Sequence, residues 1–249
     1  MMPVDGTLGR NKFVSAPSTP SISVCIPSYN EEATIESAVA QIEVVLDKLQ
    51  CDYEILICDD ASSDRTGEFI RRMTSKNPHL RPIFHQENKG IRATFEELYE
   101  SATKDAVFLI PSDLEWPPET LLSLVASFGE ADIVIASRIN KNYGIFRSFI
   151  SHIFNLTPLM LFGVKTNDAG AVKLVRRKII QRIQIISRSP FSEAERLIRA
   201  ARLGYRVRSI PTVTQKRRSG VSHGIRLGVL VTAISDVCRV WWDIRILGH

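Results

Sequence analysis

A chain of 249 residues with 44% apolar and 24% charged side chains has an ordinary globular composition and suits one domain with an elaboration. No apolar run approaches the roughly 20 residues that cross a bilayer, and the start, MMPVDGTLGR, has none of the apolar middle of a signal peptide, so the protein is expected to remain in the cytosol. The net charge of +5 conceals a division: through Ser137 there are 11 Lys and Arg against 22 Asp and Glu, whereas the remainder is +16, which points to an anionic partner on the C-terminal side.

Residues 1–20 carry Pro3, Gly6, Gly9, Pro17 and Pro20 with few large apolar side chains, the composition of a disordered lead. Ser21 to Pro27 reads as a strand. Asn30-Glu31-Glu32 then opens a helix in which Ile35, Val39, Ile42, Val45, Leu46 and Leu49 recur at helical spacing. A second strand, Tyr53 to Cys58, ends in Asp59-Asp60, and Asp64 stands at the N-cap position of a helix from Arg65 to Lys76. Leu80 to His85 is a third strand and Ala93 to Thr103 a third helix. Cys25, Cys51, Cys58 and Cys238 show no metal-ligand spacing, and Cys25 and Cys58 fall inside strands as small apolar residues, which fits a reducing compartment.

The fourth strand, Ala106 to Ile110, is an apolar run that delivers acidic side chains to its own end. Pro111 breaks the ladder, Asp113 and Glu115 follow, and Pro117-Pro118 begins a helix running to Phe128 with Glu119 in its first turn. In an extended chain positions 111, 113 and 115 share one side, so the two carboxylates would share a face. Hard oxygen ligands at that spacing suit Mg²⁺ or Mn²⁺ on a phosphorylated ligand. A fifth strand covers Ile133 to Ala136, ahead of Ser137-Arg138. This alternation of strand and helix predicts an α/β fold with a mostly parallel sheet covered on both faces.

Beyond Arg138 the pattern changes. Gly144 to Val164 is apolar and aromatic but interrupted by Arg147, His152 and Pro158, which makes it an amphipathic or half-buried helix. A strand or turn is expected near Thr166 to Leu174, a helix from Ser192 to Leu203, and a strand from Tyr205 to Ile210. Gly224 to Leu247 is helical in pattern, with Arg226, Arg239 and Arg245 among aliphatic residues and Trp241-Trp242, as in an interfacial helix. Aromatics of the kind that stack bases are scarce in this basic half, so an anionic membrane surface is expected as partner, and nucleic acid is not.

Pro27-Ser28-Tyr29-Asn30-Glu31 and Asp59-Asp60-Ala61-Ser62-Ser63-Asp64 resemble the nucleotide-sugar half of the family 2 inverting glycosyltransferases. Asp113-Leu114-Glu115-Trp116-Pro117-Pro118-Glu119 looks like the DLQHPPE stretch of the dolichol-phosphate mannose synthase and polyprenyl-phosphate glycosyltransferase branch. Ser137-Arg138, Arg147, Lys173 to Arg177, Gly204-Tyr205 and Arg218-x-Gly220-x-Ser222 extend the match in the same order. The resemblance implies a GT-A, Rossmann-like domain over residues 21–222, with a nucleotide-sugar half at 21–137 and an acceptor half at 138–222. A membrane-interfacial helix at 223–249 follows, and the enzyme is expected on the cytoplasmic face of a membrane.

The same resemblance assigns roles. Pro27, Tyr29, Glu31, Asp59 and Asp60 would hold the nucleotide, with Asp60 accepting from a base N–H. Asp113 and Glu115 would bind the metal on the diphosphate, although the family's first Asp is here Pro111 and Glu115 stands for its Gln. Arg138 and Arg147 would take the acceptor phosphate, and Arg218 and Ser222 would close over the diphosphate, with His223 where the family often has Lys. Asn167 or Asp168 matches an acidic residue of the family, and Glu193 or Glu195 could stand near the acceptor. The implied reaction moves a hexose, mannose or glucose, from a GDP- or UDP-sugar to a polyprenyl or dolichyl phosphate with inversion. A phosphate monoester is already anionic near pH 7, so no general base is required. The alternatives are a sugar or protein hydroxyl as acceptor, which would need a carboxylate base, and a degenerate nucleotide-sugar-binding protein.

Overall fold

The computed structural model describes residues 19–139, 156–165, 168–215 and 227–248. All but the last two residues of the disordered lead expected at 1–20, and most of the aromatic segment at 144–164, lie outside them. In chain order the elements are β1 (Ile22–Ser28), α1 (Ile35–Leu49), β2 (Tyr53–Asp59), α2 (Thr66–Thr74), β3 (Leu80–Phe84), α3 (Ile91–Ser101), β4 (Ala106–Leu109), α4 (Thr120–Ser127) and β5 (Ile133–Arg138). Then come α5 over residues 156–162, β6 (Lys173–Arg176), α6 (Arg177–Arg182), α7 (Ser192–Arg202), β7 (Val207–Thr212) and α8 (Leu227–Trp242), which passes into a π-helical turn, Asp243–Leu247. α6, with six residues, is too short to leave a legible periodicity and is not among the elements the pattern predicts.

The strands form one seven-stranded sheet in the order β3-β2-β1-β4-β6-β5-β7. β6 alone runs antiparallel to its neighbours β4 and β5, and the other pairings are parallel. This is the α/β architecture the alternation predicts, with helices α1 to α4 connecting parallel strands. The centre is dry: every residue of β1 is buried, and on α1 the stripe Ile35, Ala38, Val39, Ile42, Val45 and Leu46 faces the sheet. Each such aliphatic side chain contributes about 1.5–3 kcal/mol on burial. α1 starts at Ile35, later than Asn30-Glu31-Glu32, because Asn30 is left-handed (φ 55°) and the residues after it bond to a neighbouring loop.

A second, smaller core joins Phe162 of α5, Phe191, Ala194 and Ile198 around α7, and Val240 and Ile244 at the C-terminus. The C-terminal helix therefore packs on the domain through Ala233, Asp236, Val240 and Ile244, and its opposite side leaves Val231, Ile234, Trp241 and Trp242 exposed. Among the described residues no helix is long and apolar enough to cross a membrane.

At the amino edge of the sheet one buried acid fastens four segments. Glu54 of β2 accepts hydrogen bonds from Ser23 Oγ of β1 (2.6 Å) and from the Thr103 N–H and hydroxyl before β4 (both 2.7 Å), and it pairs with Arg81 of β3. Burial alone would raise its pKa, but the bonds from Ser23, Arg81 and Thr103 outweigh burial and hold it at about 2, below the ordinary 4.5. The stability this acid contributes is thus complete above pH 4.5 and lost as the pH falls toward 2. Glu54→Gln is expected to lower the unfolding free energy by on the order of 2 kcal/mol at pH 7. Urea denaturation at several pH values checks it: the gap to wild type should close between pH 4.5 and 2, and a pH-independent gap would contradict it.

Candidate active site

The strands end at one edge, and β1 lies between β2 and β4, the point at which the strand order turns and a crevice opens beyond the carboxyl ends. The loops after β1 and β2 are tied to each other. Asn30 Oδ1 accepts from the Ser63 N–H (2.8 Å), Ser62 Oγ accepts from the Asn30 N–H (2.9 Å), Thr66 Oγ1 accepts from the Glu31 N–H (2.8 Å), and Asp64 accepts from the Glu32 N–H (3.1 Å). Asp64 also accepts from the N–H and hydroxyl of Thr66, the first residue of α2; it stands one position before the N-cap, which is Arg65, because the helix begins one residue later than the sequence suggests. Pro27 is buried in β1, Tyr29 is exposed beyond it, and the Glu31 carboxylate accepts from Thr34 Oγ1 (2.8 Å).

Asp59 and Asp60 are both buried. Asp59 Oδ1 accepts from the Ser62 N–H, and its other oxygen lies so near Gly67 that a Cβ there would stand 2.7 Å away and force the carboxylate to shift. Asp60 fastens the next loop: Oδ1 meets the Lys89 N–H (2.8 Å) and His85 Nδ1 (2.6 Å), and Oδ2 accepts from the Gly90 N–H (2.9 Å). A carboxylate offers about four lone-pair sites, and three are engaged by the protein. The Asp60 of this structure is thus first a brace between β2 and the start of α3. His85 continues it through Nε2 to Glu97 (2.9 Å), with Cys58 Sγ 3.5 Å away and its thiol pushed up to about 12 by burial and by the charge of Glu97.

The end of β4 departs from the extended chain that the sequence suggests. Leu114 adopts φ 58°, the residues from Ser112 to Trp116 form a turn, and Asp113 Oδ1 accepts from the Glu115 N–H (2.9 Å). Asp113 is buried and Glu115 is half-buried, so the two acids stand together through a tight turn and not through strand alternation. Among the described residues no three His, Cys, Asp or Glu side chains are placed to hold a metal by themselves. Two carboxylates still fit Mg²⁺ or Mn²⁺, since a hard ion of this kind takes one or two protein carboxylates and completes its shell with phosphate and water.

Arg138 at the end of β5 is gripped by Asp168. Nε and Nη2 each donate across 2.9 Å to the two carboxylate oxygens, the guanidinium lies 5.3 Å from the Trp116 ring, and Nη1 is 3.5 Å from Glu115. Asp168 pays for this with φ 92°, a conformation L residues avoid. Arg147, Arg218, Ser222, Asn167 and His223 lie outside the described residues. Of the two late acids, Glu195 is fully buried and latches a loop, accepting from the N–H groups of Ile186 and Ser187 and pairing with Arg199.

Glu193 lines a cleft of about 230 Å³ bounded by the start of α3, the turn after β4, the approach to β6 and the start of α7. Its Oε2 receives Lys173 Nζ (2.6 Å) and the Tyr99 hydroxyl (3.1 Å), and Arg196 stands 3.7 Å from Oε1 while also pairing with Glu96. Burial opposes ionisation, but the charges of Lys173 and Arg196 outweigh it and lower the Glu193 pKa. Sequence reasoning flagged Glu193 but missed Tyr99, Arg196, His85 and the cleft residue Arg92, because their meeting is set by packing between distant segments.

Against known proteins, the description named Glycosyl transferase family 2 matches residues 23–184, most of the chain. The chain belongs to glycosyl transferase family 2. Curated relatives include undecaprenyl-phosphate 4-deoxy-4-formamido-L-arabinose transferases from Aeromonas hydrophila (32% identical over 162 residues, 64% of this chain and 50% of that one) and Pseudomonas fluorescens (31% over 163 residues, 64% and 48%). The chain spans about half the length of these relatives. Among solved structures, glucosyl-3-phosphoglycerate synthase from Mycobacterium tuberculosis with Mn²⁺, UDP and glucosyl-3-phosphoglycerate aligns with a TM-score of 0.67 at 23% identity, over 95% of this chain and 88% of that one. A mannosyltransferase from Pyrobaculum calidifontis with GDP-Man and Mn²⁺ aligns with a TM-score of 0.62 at 20% identity, over 88% and 64%. At that identity the likeness speaks for the GT-A fold.

The grip on Arg138 has a measurable consequence. Asp168→Ala leaves a mostly enclosed guanidinium without its bidentate partner and is expected to cost about 3 kcal/mol. Asp168→Gly loses the same pair but relieves φ 92°, so it should cost about 1 kcal/mol less. Denaturant unfolding of both decides, and equal losses would show that the backbone there is unstrained.

Proposed function

We propose that the protein transfers a hexose from a nucleoside diphosphate sugar to a polyprenyl or dolichyl phosphate, in one displacement with inversion. The observation that carries this reading is the joint placement, at the carboxyl edge of the sheet, of the Asp113-Glu115 turn, the tied loops after β1 and β2, and a largely apolar cleft beside them. The names of the curated relatives specify undecaprenyl phosphate and so support the lipid-phosphate part of this reading, while the sugar they name, a formamido-arabinose, is a pentose. Pro27, Tyr29, Glu31, Asp59 and Asp60 shape the nucleotide seat, the last two chiefly by holding its loops. Asp113 and Glu115 would hold Mg²⁺ or Mn²⁺, and the ion would supply positive charge to the departing diphosphate. Arg138, placed by Asp168, lies beside Glu115 and adds to the field there. Residues 21–137 serve the donor and 138–222 the acceptor, Arg147 among them, while Arg218 and Ser222 close over the donor's diphosphate.

The reading with a hydroxyl acceptor would rest on Glu193, the carboxylate in the cleft. Its lowered pKa makes it a poor proton acceptor, and Lys173 already occupies it, which favours an acceptor that arrives ionised. A panel of GDP- and UDP-hexoses with short-chain polyprenyl phosphate, read by mass spectrometry of the lipid, tests the proposal. Turnover should require Mg²⁺ or Mn²⁺ and fall on the order of 100-fold in Asp113→Asn; Glu115→Gln should also be strongly impaired. Full activity in excess EDTA would refute the metal assignment.

The acceptor lipid requires a membrane surface, and the exposed side of α8, with Trp241 and Trp242 next to Arg239 and Arg245, is proposed to meet it on the cytoplasmic face. Because the opposite stripe does the packing, Trp241→Ala with Trp242→Ala should fold normally yet float several-fold less with anionic vesicles. High salt should weaken the wild type in the same way. Undiminished flotation of the double variant would assign the contact elsewhere.

A further inference from the structure

The cleft beside the metal-site turn contains a cation that the sequence does not single out. Arg92, in the first turn of α3, lines it together with Ile91, Phe95, Pro111 and Val172, while Lys173 and Glu193 lie at its other end. The other cations near the cleft are occupied: Lys173 pairs with Glu193 at 2.6 Å, Arg196 with Glu96 at 2.6 Å, and Arg138 with Asp168 through two bonds of 2.9 Å. Among the described residues Arg92 has no hydrogen-bond or ion-pair partner, and its Nε is buried without one. The first turn of α3 itself holds no acidic residue, and the Asp60 carboxylate meets the Gly90 N–H just before it.

We propose that Arg92 is the residue that binds the acceptor's phosphate, and that the apolar wall beginning at Ile91 takes the first carbons of the chain attached to it. The chemistry recognised is an alkyl phosphate monoester. An unpaired guanidinium fits a phosphate with two parallel N–H donors. The walls next to it would gain nothing from free phosphate but would bury a branched hydrocarbon, and Ile91, 52% exposed, stands at the mouth to be covered by it. The Lys173-Glu193 pair at the far end is internally neutral, so the phosphate belongs at the Arg92 end. This assignment rests on the lipid-phosphate reading and alters it in one respect: Arg138, held by Asp168, becomes a positioning residue, and the acceptor's charge is met by Arg92.

The test uses the full chain, with calorimetric binding of farnesyl phosphate, inorganic phosphate, UDP and GDP alongside transfer assays. Arg92→Gln should weaken farnesyl phosphate and raise the KM for short-chain polyprenyl phosphate by on the order of tenfold or more, with UDP or GDP affinity unchanged and Arg92→Lys intermediate. Ile91→Ser should weaken farnesyl phosphate about tenfold and leave inorganic phosphate alone. A loss of nucleotide affinity in Arg92→Gln would assign this arginine to the donor's diphosphate, and unaltered farnesyl phosphate binding would remove it from the acceptor site; either overturns the proposal. If the wild type binds farnesyl phosphate through Arg92 but transfers no sugar to any lipid phosphate, the reaction is wrong and the binding site stands. If transfer occurs and Arg92→Gln leaves it unchanged, the reverse holds.

Discussion

Reversal of one strand determines where the charges of the site can stand. Because β6 runs against β4 and β5, its first residue, Lys173, lies at the carboxyl edge, paired in register with Leu109 on one side and Ile135 on the other. The residues just before it arrive at the same edge, where the Ala136 N–H reaches the Val172 carbonyl and Asp168 reaches Arg138. A parallel strand in that slot would have put Lys173 at the opposite edge and left Arg138 without its partner. The sheet therefore separates two polar ends: one cluster around Glu54 that stabilises, and one edge where six parallel strands end and β6 begins.

At the converging edge nearly every buried charge is matched. Lys173 with Glu193, Arg196 with Glu96 and Arg138 with Asp168 are opposite-sign pairs within 3 Å, which offsets the cost of removing each ion from water. The same logic governs Asp60, whose oxygens are met by two backbone N–H groups and a histidine. Rigid pairing of this kind leaves little freedom to bind a ligand, and Arg92 and the exposed Tyr29 stand outside it.

The alternation of apolar strands with periodic helices was readable because β1, β2 and β4 are buried on both faces and α1 on one; Ile35 through Leu46 spell out their own stripe. Local chemistry was readable in part, as with Asp64, which meets the Thr66 N–H two residues on, although the N-cap itself is Arg65. What the chain order hides is long-range pairing. Asp168 meets Arg138 across 30 residues and Arg196 meets Glu96 across 100. The turn at Asp113 misled for a different reason: Leu114 is a residue that rarely takes positive φ, so nothing in the local letters announces the reversal that brings the acids together.

The C-terminal helix shows why packing on the domain and meeting another surface need not be rival readings. Its buried stripe contains Asp236, which is fully enclosed and accepts from the N–H groups of Arg188 and Ser189, both at 2.8 Å. A carboxylate could not be turned toward hydrocarbon without great cost, and two backbone donors fix it in the other direction. The rotation of α8 about its own axis is thereby set by one residue. Val231, Ile234, Trp241 and Trp242 are held outward as a result, so the helix is anchored by its polar latch and presents its apolar side to whatever surface lies beyond.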